Sequence, residues 1–259
     1  MTTMSYAVRD SVTMLRRDLR HAQRYPLMTV MSIMMPLLMM LLFVFVFGNA
    51  MSPVARTGNY LDYLTPGIIV MAIGSASGSA VAIKVCTDMQ EGIIARFRTM
   101  SISRGSVLSG QVLGSLIRTL ISVTLIILLA VLMGFRPTAG VGEWLAVLGL
   151  LSLVIIAFTW LAVAIGLATK TVGGANTAAF PLQFLPFLSS AFIPTSAMSD
   201  GVALVAQHQP FTPIIDTLRG LLTGTPIGTS WIFAIGWCLL LTGIGYFFAL
   251  RRYNSDTSQ

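Results

Sequence analysis

The sequence predicts an all-α membrane protein of six transmembrane helices with both termini on the cytoplasmic side. Three observations carry this. The 259-residue chain is 55% hydrophobic and only 10% charged, with a mean hydropathy of +0.83. Soluble globular domains carry about 25% charged residues, so the chain has too little polar surface for an ordinary soluble enzyme and too much apolar surface for disorder. Its uncharged stretches reach the ~20 residues that cross a bilayer. Its basic residues alternate by side: with six spans, twelve fall in cytoplasmic segments and three (Arg56, Arg136 and Arg219) in outer ones. The net charge of +7 is therefore positive-inside bias rather than a nucleic-acid surface. Connections between spans are shorter than the ~50 residues a soluble catalytic domain needs.

Residues 1–25 hold Arg9, Arg16, Arg17, Arg20 and Arg24, while Val8, Val12, Leu15 and Leu19 recur at helical spacing. This is a cytoplasmic amphipathic helix with a basic face, suited to lie among inner-leaflet headgroups. A signal peptide is the rival reading. The apolar run that follows, Leu27 to Phe47, is too long for an h-region of 7–15 residues and long enough to span. The spans then fall at about 27–47, 64–84, 107–133, 144–168, 177–193 and 229–250, within a domain of 26–250 followed by a cytoplasmic tail at 251–259. Asp62 and Lys84 enclose the second span, which opens at Pro66-Gly67 and carries Gly74, Ser75, Ala76, Ser77, Gly78 and Ser79. Small residues at this spacing let helices approach closely in a bilayer. Pro181 and Pro186 interrupt the fifth span. No internal repeat is present, so an inverted-repeat secondary transporter gains no support.

Sites of chemistry are scarce. Neither Lys84 nor Lys170 follows a glycine, so the chain has no phosphate-binding GxxxxGK[ST] loop and no catalytic residue is assigned. His21 and His208 fall on opposite sides of the membrane, and no clustered ligand set predicts a metal. Cys86 and Cys238 are placed at the inner face and near mid-membrane, too far apart to pair. None of the six uncharged stretches holds a carboxylate, whereas proton-coupled transporters usually carry one.

The most informative cytoplasmic segment is 87–100, between spans two and three. Ile93, Phe97 and Met100 form a stripe at i, i+4 and i+7, with Asp88, Glu91, Arg96 and Arg98 around the rest of the helix. Such a helix either presses into a partner's groove as a lever or seals the loop against lipid. Met28, Met31, Met35 and Met39 share one face of span one, either as a soft wall for diverse apolar substrates or as ordinary packing. Arg118 lies about 16 Å along its helix if that helix begins at Val107. It either snorkels to the inner headgroups or lines a path. Phe43, Phe45, Phe47, Phe180, Phe184 and Phe187 concentrate in spans one and five. Thr212 and Pro213 read as N-cap and first residue of a short outer helix, with Asp216 and Arg219 three apart on its surface as local support.

Three segments carry a family resemblance. Tyr60 to Gly67 (Tyr-Leu-Asp-Tyr-Leu-Thr-Pro-Gly), Asp88 to Arg98 (Asp-Met-Gln-Glu-Gly-Ile-Ile-Ala-Arg-Phe-Arg) with Arg104 and Gly110, and Phe187 to Pro194 continuing through Gln209 to Leu222 resemble the ABC-2 type permeases, notably the daunorubicin-resistance efflux subgroup. The similarity covers nearly the whole chain in order. It implies the ABC-2 (type V) exporter membrane domain in a bacterial cell membrane. Partners would be a separate ABC ATP-binding subunit and a second permease, identical or related. ATP and Mg would sit on the ATPase, with no cofactor on this chain. The helix at 87–100 would dock there through Asp88, Glu91, Gly92, Ile93, Arg96, Phe97, Arg98 and Met100. Short re-entrant helices would follow span five at 194–222, and spans one and five would form the permease contact. Thr99-Met100-Ser101 departs from the Leu-Pro step of many members. The expected substrate is an amphipathic or apolar drug taken from membrane lipid, with Met35, Met39, Arg118 and Phe184 on its path. A lipid or lipid-linked glycan is the alternative cargo. A stand-alone channel, a secondary transporter or a structural anchor are the alternatives outside the family.

Overall fold

The computed structural model describes the backbone over residues 26–51, 59–92 and 104–255, and side chains over 34–48, 59–92 and 110–252. The amphipathic helix expected at 1–25 lies outside the described residues, as do Ile93, Arg96, Phe97, Arg98 and Met100. Among the described residues there is no strand. The elements are α1 (Pro26–Met51), α2 (Tyr60–Ile73), a π-helical stretch Gly74–Ser79, α3 (Ala80–Gln90), α4 (Arg104–Leu132), α5 (Val141–Ala168), α6 (Val172–Phe184) with a 3₁₀ turn Leu185–Leu188, a 3₁₀ turn Thr195–Ala197, α7 (Asp200–His208), α8 (Phe211–Thr223) and α9 (Ser230–Ser255).

Capping explains several boundaries. Asn59 Oδ1 accepts from the amide of Leu61 at 3.1 Å, and Asp62 sits in the first turn where the helix dipole favours a negative charge. Glu143 Oε2 accepts from the amide of Gly140 at 2.6 Å at the start of α5. Thr171 caps α6 by accepting from the amide of Gly174 at 3.1 Å. Gly224, at φ 69°, ends α8 in the left-handed conformation that glycine adopts without strain.

Among the described residues four helices are long and apolar enough to cross a membrane: Tyr60–Gln90, Gly110–Leu132, Val141–Ala168 and Ser230–Arg252. The first of these is continuous through α2, the π-helical stretch and α3, and 78% of its most apolar stretch is buried, against 22% for the last. It is the hub on which α1, α4, α5, α6 and α8 pack, while α9 packs on α5 and α8. Helix α1 is 26 residues long, and its described side chains include the apolar run Met34–Gly48. The fifth apolar segment differs from its expected limits of 177–193. Thr171 starts the helix earlier, and the α-helix stops at Phe184, passing into a 3₁₀ turn around Pro186, which has no amide hydrogen to give. Residues 189–193 form a turn instead of a last helical turn.

Lipid is as apolar as a leucine side chain, so close approach rather than transfer from water holds such helices together. The small residues of the second span provide that approach. A Cβ on Gly74 would stand within van der Waals overlap of the carbonyl oxygen of Leu182 on α6, and one on Gly67 would meet Ala191 Cβ at 2.6 Å. Gly166 on α5 meets Ala82 and Val85 in the same way, and Gly245 on α9 meets the backbone of Trp160 and Leu161. The wide π-helical turn, a form found where a helix adapts locally, lies where α6 crosses, and Ser77 Oγ donates to Ile73 O there at 2.7 Å.

The long helix Tyr60–Gln90, α4 and α5 run in alternating directions. At one end the amide of Thr138 donates to Leu222 O at 2.9 Å, and Tyr60 Oη donates to Phe192 O at 3.0 Å. At the other, Gln90 Nε2 donates to Lys170 O at 2.9 Å, and Cys86 Sγ to Thr169 O at 3.6 Å. The region expected to be re-entrant holds α7 and α8. Helix α8 is buried along almost its whole length against the tops of the longer helices, with Phe211 and Phe158 edge to face at 5.5 Å.

Candidate functional site

Two of the three sequence segments that carry the family resemblance meet at one point. Arg219 on α8 is 8% exposed. Its Nη1 donates to Asp216 Oδ1 at 2.6 Å, its Nη2 to Ser190 O at 2.7 Å and its Nε to Tyr63 O at 3.3 Å. The guanidinium lies 3.8 Å from the centroid of the Tyr63 ring. Tyr63 Oη also donates to Ser190 O, at 2.8 Å, and Ser190 Oγ donates to Asp216 Oδ1 at 2.7 Å. The segment Tyr60 to Gly67, the turn after α6 and helix α8 are thus joined by one buried cation and its acceptors.

The expectation for α8 needs correcting. Its N-cap is Pro210, so Thr212 stands inside the first turn. Thr212 Oγ1 donates to Ala206 O at 2.5 Å and accepts from the amide of Ser190 at 3.3 Å. The hydroxyl links α7 to the turn after span five and is not free to cap its own helix. The Asp216–Arg219 pair exists as expected, but local support is the lesser part of it. Sequence reasoning paired Arg219 with Asp216 but missed its long-range role, because the distant acceptors are backbone carbonyls, which any residue supplies.

A second feature runs alongside. Phe180 and Phe184 stack with centroids 3.8 Å apart and planes at 13°. Phe184 and Phe187 follow at 5.6 Å and 22°, then Phe187 and Phe192 at 5.0 Å and 12°. Phe192 meets Phe43 of α1 at 4.4 Å, and Phe43 meets Phe47 at 5.4 Å. Five of the six phenylalanines noted in spans one and five therefore form one row, joined by Phe192. Phe45 is not among these contacts and is 77% exposed. The end rings Phe180 and Phe47 are exposed and the interior ones half-buried or buried. Such a surface offers an aromatic ligand ring faces and edges and offers a small hydrated ion nothing to replace its water shell.

The other residues expected on a path are dispersed. Met35 is exposed, Met39 is half-buried against the main core, and Met28 and Met31 lie outside the described side chains. Arg118 is half-buried about 21 Å along α4, which starts earlier than Val107. Beside it Ser115, Thr119 and Ser122 are buried, and Ser115 Oγ accepts from Thr159 Oγ1 of α5 at 3.1 Å.

At the opposite end, α3 delivers the root of the segment expected to dock on a partner. Asp88 and Gly92 are half-buried and Glu91 is exposed. Gly92, at φ 68°, turns the chain out of the helix in a conformation other residues resist. The Gln90 bond to Lys170 O ties this root to the start of α6. Among the described residues no group of three or more His, Cys, Asp or Glu could hold a metal ion.

A model of the family described as ABC-2 type transporter matches residues 10–223. The daunorubicin resistance ABC transporter permease protein DrrB1 of Streptomyces coeruleorubidus is 27% identical over 223 residues, covering 85% of this chain and 77% of that protein. The probable doxorubicin resistance ABC transporter permease protein DrrC of Mycobacterium tuberculosis, in two strains, is 26% identical over 228 residues, covering 83% of this chain and 80% of that protein.

Proposed function

The chain belongs to the ABC-2 type transporter family, and from that premise we propose that it is the permease subunit of an ATP-driven drug exporter in a bacterial cell membrane. The observation that carries this is the family match over residues 10–223, which takes in the later part of the segment 1–25, the apolar helices up to α6, and α7 and α8. The similarity to permeases named for daunorubicin and doxorubicin resistance supports an amphipathic aromatic cargo.

On this reading α1 and the shorter α6 complete a set of six spans with the four longer helices. The end that carries Gln90, Lys170 and Arg251 is cytoplasmic by the excess of basic residues. A separate ABC ATP-binding subunit docks there on the segment 87–100, whose first residues end α3 and which turns at Gly92, through Ile93, Phe97 and Met100 with Asp88, Glu91, Arg96 and Arg98 beside them. ATP and Mg belong to that subunit. A second permease copy closes the path along spans one and five. Cargo enters from the inner leaflet past Met35 and Met39 and moves along the row that contains Phe184, with Arg118 on the polar inner side of the bundle. Substrate already dissolved in lipid gains less than the ~25 cal/mol per Å² of transfer from water, so affinity is modest and selectivity broad.

Purification of the chain from its native membrane should bring an ATP-binding subunit with it. Inverted vesicles holding both should accumulate daunorubicin with ATP and go on doing so when the proton gradient is collapsed. Accumulation that needs the gradient and no ATPase would overturn the reading.

A further inference from the structure

The exposed faces of three helices differ in chemistry. Along the middle of α9 the exposed side chains are Leu239, Leu240 and Ile244, and along α4 they include Ile121, Leu125 and Leu128. The exposed hydroxyl of Thr124 on α4 is spent within its own helix, where it donates to Leu120 O at 2.8 Å. Such faces suit hydrocarbon. Helix α6 does not match them. Asn176 and Thr177 are exposed, and Gln183 is half-buried about 17 Å from the start of the helix, near the middle of a ~30 Å hydrocarbon layer. Asn176, Phe180 and Gln183 stand at i, i+4 and i+7, so two amides share one face with a ring that is 51% exposed. Phe184 covers one side of that ring and leaves the rest open. Among the described residues the side-chain hydrogen bond of Gln183 is a long one, its Oε1 accepting from Ser79 Oγ at 3.4 Å. A side-chain amide has two donors and two acceptor positions, so most of its capacity is unmet within this chain.

We propose that Gln183 is a specificity-determining residue of the exporter, hydrogen-bonding the carbonyl or hydroxyl groups of a flat cargo whose rings lie on the open side of Phe180. The inference rests on the reading of the chain as a drug exporter, and it names what that drug must carry. Lipid tails alone leave the amide unmet. A drug with polar groups on an aromatic frame satisfies both the amide and the ring. Asn176 and Thr177 continue the polar face toward the end that carries Lys170, so cargo keeps hydrogen-bonding partners on its way in from the inner leaflet. Gln183 thus selects for hydrogen-bonding groups, and Phe180 selects for aromatic ones.

The test measures ATP-dependent uptake of two lipophilic cations, daunorubicin and tetraphenylphosphonium, into inverted vesicles that hold the chain and its ATP-binding subunit. Both probes carry aromatic rings, but only daunorubicin carries hydroxyl and carbonyl groups. Gln183→Met keeps the length of the side chain and removes its amide. It should raise the KM for daunorubicin about five-fold, as the loss of one hydrogen bond does, with kcat changed much less. The KM for tetraphenylphosphonium should change less than about two-fold. Phe180→Leu should instead raise both KM values, by about three-fold. Gln183→Leu, which also lacks an amide, replaces Gln183→Met if the latter fails to reach the membrane. Thiol labelling reports on the same face without transport, against native cysteines that are both buried. A water-soluble methanethiosulfonate should label Gln183→Cys, daunorubicin should slow the reaction, and Leu240→Cys on α9 should stay unlabelled. A Gln183→Cys that resists the reagent lies against lipid and overturns the inference. Cross-linking of Gln183→Cys between two copies, unaffected by daunorubicin, overturns it as well and places a second permease on this face. Wild-type vesicles that transport neither probe with ATP sink the exporter reading and the inference with it. Wild-type transport of both probes, with equal changes for the two in Gln183→Met, sinks the inference alone.

Discussion

Arg219 holds its guanidinium carbon 3.8 Å from the centroid of the Tyr63 ring while its Nε donates to the Tyr63 carbonyl, across 156 residues of sequence. Ring face and carbonyl together hold one cation between α2 and α8, and Asp216 supplies the countercharge. A buried charge is tolerated only when its hydrogen-bonding capacity is met. Here Asp216, Ser190 and Tyr63 all supply acceptors.

Arg219→Ala should therefore be costly. It leaves Asp216 without its cation and weakens the hold on Ser190 O, and removing one member of such a cluster costs about 3 kcal/mol. Thermal unfolding of the detergent-purified chain should fall by several degrees. Asp200→Ala, on the exposed first turn of α7, should leave it unchanged. An unaltered midpoint for Arg219→Ala would show that the cluster contributes no net stability.

Gly74→Ala should be the most disruptive of the glycine substitutions in the second span. The added Cβ would overlap the backbone carbonyl of Leu182, which cannot turn aside as a side chain can. Overpacking of this kind costs about 1–3 kcal/mol. At Gly78 the nearest atoms are Leu182 side-chain carbons at 3.2 and 3.3 Å, so Gly78→Ala should be milder. At Gly173 nothing lies within 4 Å, and Gly173→Ala should be neutral. Protein levels in isolated membranes should rank the three in that order, and a reversed rank would mean that α6 does not press on the π-helical turn.

How much of this was legible in the sequence depends on what each element is made of. The apolar helices were legible because a bilayer demands a long uncharged run, which composition alone reveals. The small residues from Gly74 to Ser79 announced close helix approach, and α6 does cross there. Arg219 was not legible. Its pairing with Asp216 at i, i+3 satisfied the local pattern, and its distant partners are carbonyls of Tyr63 and Ser190 that no residue type marks. The phenylalanines of spans one and five were legible as a concentration, but not as a row. The ring that joins them, Phe192, lies in a turn that helical periodicity does not reach. Thr212 looked like a cap because Thr-Pro is a common helix start, yet a tertiary contact to Ser190 took its hydroxyl.

Phe97→Ala should uncouple the chain from its ATP-binding subunit. The motivation is the sequence stripe of Ile93, Phe97 and Met100, which follows the glycine turn at Gly92 that ends α3. Co-purification of the ATPase should weaken, or drug-stimulated ATP hydrolysis should fall, while the amount of chain in the membrane stays the same. Gln90→Ala breaks the bond to Lys170 O outside the stripe, so it should leave ATPase binding intact and lower transport. Full transport in Phe97→Ala would favour the alternative that this helix only seals the loop against lipid.

Substitution at Met35 and at Phe184 should separate two kinds of residue on the same path. Met35 is 42% exposed on α1, so Met35→Thr should leave protein level unchanged and shift the spectrum of exported compounds. Phe184 is stacked on both sides, against Phe180 and Phe187, so Phe184→Ser should lower protein level as well as alter the spectrum. Export of a panel of dyes, normalised to membrane protein, reads both effects. Equal loss of fold and function at Met35 would mark it as packing and remove it from the path.

Cysteine cross-linking should locate the contact between permease copies. The native thiols give a quiet background, because Cys86 and Cys238 are both free and buried. Phe47 near the C-terminal end of α1 is 40% exposed, and Ile193 ends the turn after α6 and is half-buried. Two chains that meet along spans one and five bring these positions close to their counterparts. Phe47→Cys should then yield a dimer on mild oxidation in native membranes, and Ile193→Cys a weaker one, since its side chain is partly covered within its own chain. Trp231 on α9 is the control. It is 50% exposed on a helix that the proposed contact leaves facing lipid, so Trp231→Cys should stay monomeric. A disulfide bond needs Cα atoms within about 7 Å of each other, so cross-linking reports contact rather than chance encounter when it is fast and complete. Cross-linking through Trp231→Cys with none through either of the other two would place the interface on α9 and turn the phenylalanine row toward lipid, removing it from the shared path.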